Sequence, residues 1–278
     1  MKSAATIAPG RGYRWVVGIV LGAVFAVPIF SMIEFTLRDP TGGYSLNHWL
    51  ALGDSGLASQ TGPIWEGLGN SVVMTIVTVA VMLFIVTPTI LLVTLRFPKL
   101  RRPLEFIALL PVSVPAIALV VGLAPVYLAI SRTFGTGVWS LGLAYGVIAL
   151  PYAYRAIQAS VDATDVKTLA EAARTLGASW PNIFLRVLVP NLRQGLMAAS
   201  LLTTAVVFGE YTYAALLVRQ NLQTALVVVG QQDPFTGVAF SLLSLFGAFL
   251  LLYFISRVGS AGSAGTTRRS TKRKVRVA

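Results

Sequence analysis

Six stretches of this chain stay apolar for long enough to cross a bilayer, which takes about 20 predominantly apolar residues in a helix. They run over roughly 15–37, 69–95, 104–130, 138–156, 191–218 and 236–257, with polar connections between them. The pattern predicts an all-α membrane protein: a segment 1–14, one six-span domain over 15–257, and a tail 258–278. The first run follows Lys2, Arg11 and Arg14, like the charged start of a signal peptide. It is too long for an h-region and no Ala-x-Ala site follows, so it reads as an uncleaved anchor. Pro28, Pro88, Pro111, Pro115, Pro125 and Pro151 fall inside the predicted spans. Kinked helices around a pathway and ordinary membrane-helix irregularity both account for them. Gly18/Gly22 and Gly142/Gly146 have a spacing that allows close helix contact.

Composition agrees with lipid as the main solvent. Of 278 residues, 55% are hydrophobic and 12% charged, against about 25% charged in an average soluble domain. A net charge of +12 could suggest nucleic acid, but the basic residues lie between and after the apolar runs, without a basic stripe of interleaved aromatics, so no nucleic-acid partner is expected. With the N-terminus in the cytoplasm, 19 of the 22 Lys and Arg residues fall on the inside and only Arg38, Arg132 and Arg219 on the outside. The positive-inside rule then places both termini in the cytoplasm. Seven inside residues, Arg257, Arg268, Arg269, Lys272, Arg273, Lys274 and Arg276, follow the last run. They make the tail a partner for anionic membrane lipids, and its Ser/Gly-rich start predicts disorder. The outside segment after Arg38 is rich in Gly and Trp and predicts a surface loop, whereas the inside segment 157–190 is the longest cytoplasmic connection.

Soluble chemistry finds little to work with. There is no cysteine, and the one histidine, His48, lies outside the apolar runs and reads as a loop residue. Metal and cofactor sites are therefore not expected in this chain, nor is a serine–histidine triad. No Gly-Lys pair occurs, so there is no Walker A loop to hold ATP.

The inside connection carries the informative motif. Thr168 and Glu171 have capping-box spacing, predicting a helix from about Thr168 that ends at Gly177. Ser179 and Pro181 suit the start of a second short helix, with Trp180, Ile183, Phe184 and Val187 as its apolar face, and Pro190 marks the start of the next span. A helix–turn–helix hairpin against the membrane results.

Glu171-Ala172-Ala173, then Gly177, then Val187-Leu188-Val189-Pro190, resembles the EAA loop of binding-protein-dependent ABC importer permeases. Val187 and Val189 replace the family's usual Ile and Leu. Leu110-Pro111-Val112-Ser113-Val114-Pro115 is similar to the Pro-rich third span of those permeases. The resemblance implies a type I importer subunit of a bacterial inner membrane that is not itself an enzyme. Glu171, Ala172, Ala173, Gly177 and Pro190 would dock a dimeric ABC ATPase that carries ATP and Mg. A second permease, usually a different chain, would complete the pathway, and an extracytoplasmic binding protein would deliver substrate.

Phe208-Gly209-Glu210-Tyr211 is also similar to a segment of sulfate, molybdate, iron, phosphonate and polyamine permeases, and Phe208 to Tyr213 with the segment after Asn221 resembles above all the spermidine/putrescine, phosphonate, thiamine and iron permeases. Polyamine is the favoured substrate by that likeness. An acidic residue within a span is by default functional, so Glu210, with Tyr211 and Tyr213, is a candidate for the pathway or its gate. The competing reading is an ion-coupled secondary transporter or channel using Glu210 and Glu34. It leaves the Glu-Ala-Ala loop unexplained.

Overall fold

The computed structural model describes residues 10–39, 42–52, 58–135 and 137–274. Met1–Thr61 with Leu226–Phe246 make one compact unit, and Gly62–Ala225 with Gly247–Ala278 the other.

The first unit is led by α1 (Arg11–Leu37), a helix whose apolar surface faces outward along its whole length. Such a helix needs lipid or another chain around it. At its end Glu34 pairs with Arg38 at 2.9 Å and accepts from the Tyr44 hydroxyl. His48 sits in the short helix α2 (Asn47–Ala51), where a loop was expected, with its ring stacked on Phe235 at 4.1 Å. Phe35 stacks on the same ring at 4.9 Å.

In the second unit a continuous helical rod covers the predicted second span: α3 (Ala58–Val81), a π turn over Met82–Val86, and α4 (Thr87–Arg96). Pro88 explains the π turn, since it removes a helical N–H and the ladder must widen around it. The Thr87 hydroxyl donates to the Met82 carbonyl at 3.0 Å and satisfies one of the acceptors.

The predicted span 104–130 is not one helix but two, α5 (Arg101–Ser113) and α6 (Ala116–Phe134). Val114 is extended at φ −105° and ψ 131°, because the ring of Pro115 clashes with a helical preceding residue. Pro28, Pro111, Pro125 and Pro151 are held inside helices.

α7 (Trp139–Ala163) is the centre of this unit. Leu141, Tyr145, Ala149, Ala153 and Ile157 recur every fourth residue and are fully buried, a stripe along one side of the helix. Its partner α11 (Arg193–Gly209) comes close where Gly195 meets Ser160; a Cβ on Gly195 would lie 2.3 Å from the Ser160 Cβ and 2.9 Å from the Ala156 carbonyl. Near the N-terminal end of α7 Gly142 does the same for α3, its missing Cβ falling 2.9 Å from the Cβ of Val77. The Thr78 hydroxyl there donates to the Gly142 carbonyl at 2.8 Å. Gly18 and Gly22 touch nothing within 4 Å.

Among the described residues four helices are long and apolar enough to cross a membrane, and a fifth span results if the bent pair Trp180–Asn191 and Arg193–Gly209 is counted as one. α7 has the length, 25 residues, but not the hydropathy. A helix surrounded by others needs an apolar surface only where lipid would touch it, so α7 can carry Arg155, Gln158 and Asp162. The last helix, Pro234–Lys274, stays helical through most of the segment expected to be a disordered tail. Extending an existing helix needs no new nucleus.

Candidate functional site

Thr164 leaves the helical region at the end of α7, and Asp165 starts the next helix, α8 (Val166–Thr175). The Asp165 carboxylate accepts from the Thr168 amide at 3.2 Å and from its hydroxyl at 2.6 Å. Those bonds hold its carboxyl below the usual carboxylate range. The cap is thus Asp165, not Thr168, and the helix begins two residues earlier than the capping-box reading expects. Asp165 was the overlooked signal: an aspartate at the N-cap is as strong as a threonine.

At the other end Gly177 has φ +79°. Its amide donates to the Arg174 carbonyl at 2.9 Å and the next amide, Ala178, to Ala173 at 3.0 Å, which is the paired closure of a Schellman motif. The chain reverses there as expected. Ser179 is extended, Pro181 stands in the first turn of α9 (Trp180–Asn182), and a π turn over Ile183–Leu188 leads into α10 (Val189–Asn191). Leu192 breaks the run, and α11 departs at 75°.

The two sides of this hairpin differ. Val166, Ala170, Ile183 and Leu188 are buried in one cluster with Ile90, Leu91, Tyr154, Ile157 and Ala199 of the helical bundle. The inner side of the hairpin therefore shares the bundle's core. Glu171, Ala172 and Gly177 are exposed, Ala173 is half-buried, and Leu176 at the tip is 88% exposed. Pro190 is exposed near the bend. Trp180, expected on the inner apolar face, lies at its edge under two guanidinium groups, Arg96 at 5.4 Å and Arg174 at 5.3 Å from the ring centroid. Near the base, Arg101 pairs with Asp162 at 2.6 Å and Gln158 donates to the same carboxylate at 2.9 Å, tying α5 to α7.

The second expected cluster lies at the far end of α11, about 25 Å away by helix rise. The predicted span 191–218 does not continue through it. α11 stops at Gly209, Glu210 is extended at ψ 123°, and a short α12 (Thr212–Leu216) follows. The half-buried Glu210 carboxylate accepts the Tyr213 amide at 2.7 Å, so it caps the helix that restarts after the break. Tyr213 is fully buried, edge-on to Tyr145 with ring centroids 6.0 Å apart, whereas Tyr211 is exposed. Asn221, which the sequence did not single out as a site residue, joins these parts: its side-chain amide donates to the Tyr145 hydroxyl at 3.0 Å and to the Glu210 carbonyl. Its own segment is anchored by Asn70 on the Gln220 carbonyl at 3.0 Å and by Ser71 on the Leu222 amide at 2.9 Å. An asparagine outside a recognised motif carries no such signal until the helices that meet it are known.

The arrangement is that of a multi-pass helical membrane protein with a helical hairpin built onto one end and a span broken at an acidic residue. A family model described as "binding-protein-dependent transport system inner membrane component" matches residues 87–261, more than half of the chain, and the protein belongs to that family. It is a permease subunit of an ABC importer. A comparison with curated proteins finds no match.

Proposed function

We propose that the exposed side of the 166–191 hairpin receives a separate, dimeric ATPase subunit, which binds ATP and Mg and drives transport. The supporting observation is the division of the hairpin into a side continuous with the bundle core and a side that leaves Glu171, Ala172 and Leu176 open. A push on such a hairpin reaches the spans through packed side chains, because cores transmit strain instead of yielding to it. Both termini are then cytoplasmic in a bacterial inner membrane. A second permease of different sequence closes the pathway, and an extracytoplasmic binding protein loads it. For substrate we favour a polyamine, on the likeness of Phe208–Tyr213 to that branch of the family.

Leu176→Asp tests the docking. The side chain touches little of its own protein, so folding and membrane insertion should match the wild type. Recovery of the ATPase subunit on purification should fall at least about fivefold, as for an interface residue worth over ~1 kcal/mol. Undiminished recovery and full ATPase stimulation by the loaded binding protein would put docking elsewhere.

Glu210, Tyr211 and Tyr213 form a gate in this reading, with Glu210 holding the break in the span. Glu210→Gln keeps an oxygen for the Tyr213 amide and should assemble normally while uptake into membrane vesicles drops. Glu210→Ala removes the cap as well, at about 1 kcal/mol, and should lower the yield of folded protein too. Wild-type uptake by the Gln variant would reduce Glu210 to a cap. The ion-coupled reading gains nothing from its two acids, since Glu34 is engaged by Arg38 and Tyr44 and Glu210 by Tyr213.

A further inference from the structure

Two clefts adjoin where α4 ends and the hairpin begins. One, of about 660 Å³, is almost wholly apolar, with Pro88, Leu91 and Leu92 on one wall and Phe184, Leu185 and Leu188 on the other. The second, of about 390 Å³, is lined by Lys167, Arg174 and Glu171 among others. Leu95, Arg96 and Trp180 line both, so the two form one continuous, amphipathic trough. Its polar part carries three cations, Arg96, Lys167 and Arg174, against the single carboxylate of Glu171. Among the described residues no carboxylate lies within ion-pair distance of any of the three. Both guanidiniums instead lie over the Trp180 ring.

From this geometry we infer that the trough binds one anionic phospholipid, its phosphate head group between Arg96 and Arg174 and an acyl chain along the α4 side of the apolar cleft. Arg96 closes the long rod Thr61–Arg96, and Trp180 lies beside it. An Arg–Trp pair at the end of a span belongs at head-group level. From Arg96 to Pro88 the cleft descends about 12 Å along the helix axis, close to the ~15 Å hydrocarbon depth of one leaflet. Its size is within the roughly 300–1,000 Å³ of small-molecule sites. A protein segment would have to insert to that depth and supply an anion at its upper end. A lipid does both by its own chemistry, and basic pockets among membrane helices are suited to anionic head groups. The bound lipid would fill the space between the hairpin and α4.

The inference rests on the chain being a membrane protein and not on ATPase docking. Native mass spectrometry of the purified full-length chain tests it, with phosphatidylglycerol and phosphatidylcholine of identical acyl chains offered in equal amounts. Two cations near the surface, each contributing about 1 kcal/mol, predict a preference for phosphatidylglycerol on the order of thirtyfold. R96Q/R174Q should bring the preference close to parity, R96K/R174K should keep most of it, and R268Q/R269Q, which removes two charges from the tail, should keep all of it. Equal retention of the two lipids by the wild type overturns the proposal, whether or not the Gln variant folds. An equal loss in the tail variant would mean general attraction by net charge and would also overturn it. So would a Gln variant that keeps its lipid preference but no longer recovers the ATPase subunit, since the trough would then be a protein-docking surface.

Discussion

Gly195→Val is expected to prevent accumulation of the folded bundle. The valine Cβ would start 2.3 Å from the Cβ of Ser160 and 2.9 Å from the Ala156 carbonyl. The obstacle includes backbone, so rotating a side chain gives no relief. α7 and α11 would have to separate, which would open the most extensive helix contact among the described residues. Overpacking of this kind costs about 1–3 kcal/mol where the surroundings yield, and more where they do not. The measurement is the amount of monodisperse protein recovered from detergent-extracted membranes. It should fall at least about tenfold, and Gly195→Ala should already fall short, because the clash begins at Cβ. Gly18→Val is the control: it has the same chemistry at a glycine with nothing within 4 Å, so yield should hold. Wild-type recovery of Gly195→Val would mean that the two helices do not approach as described.

The second large effect is expected of Gly177→Val, and there the bundle should survive. Space is not the difficulty, since nothing lies within 4 Å of the missing Cβ. The backbone is: φ is +79°, and a β-branched residue in the left-handed region is strained by roughly 1–3 kcal/mol. The hairpin can relieve that strain by opening the Schellman closure at Arg174 and Ala173, which moves Leu176 and redirects α9. The spans do not depend on this turn. Insertion and yield should stay near wild type while co-purified ATPase subunit and ATP hydrolysis stimulated by the loaded binding protein both fall on the order of tenfold. Gly177→Asn should retain more of both, because asparagine tolerates the left-handed region better than a β-branched residue. Full coupling in the valine variant would remove the hairpin from the transmission path.

The two glycine sites differ in how far sequence alone could find them. Gly177 was legible because its demand is local: a glycine directly after an Ala-rich helical run is required by the backbone of its own turn. The same locality made the apolar runs, the hairpin and the family resemblance readable, and it let Pro181 be assigned to the first turn of the second helix. The break before Pro115 was also locally encoded, yet a hydropathy window runs straight across it. A window averages over about twenty residues and does not register a single clash.

Gly195 gave no such signal, because its demand comes from Ser160 and Ala156, thirty-five and thirty-nine residues earlier in the chain. The Gly-x-x-x-Gly spacing pointed instead to Gly18 and Gly22, which meet no neighbour, and to Gly142, which does meet Val77. Spacing marks which glycines share a helix face, but not what that face touches. Glu210 illustrates the same division. That an acid in an apolar run needs a reason follows from sequence and solvation alone. That the span breaks there, with the carboxylate on the Tyr213 amide and Asn221 holding both Tyr145 and the Glu210 carbonyl, depends on groups brought together from α7, the break after α11, α12 and the segment before Leu222. Sequence by itself determined the all-helical membrane class, the hairpin and the family, because each is written in contiguous residues and their solvation. Only the tertiary structure decided which buried glycines and polar groups bear weight, because their burial and hydrogen bonding depend on partners distant in the chain.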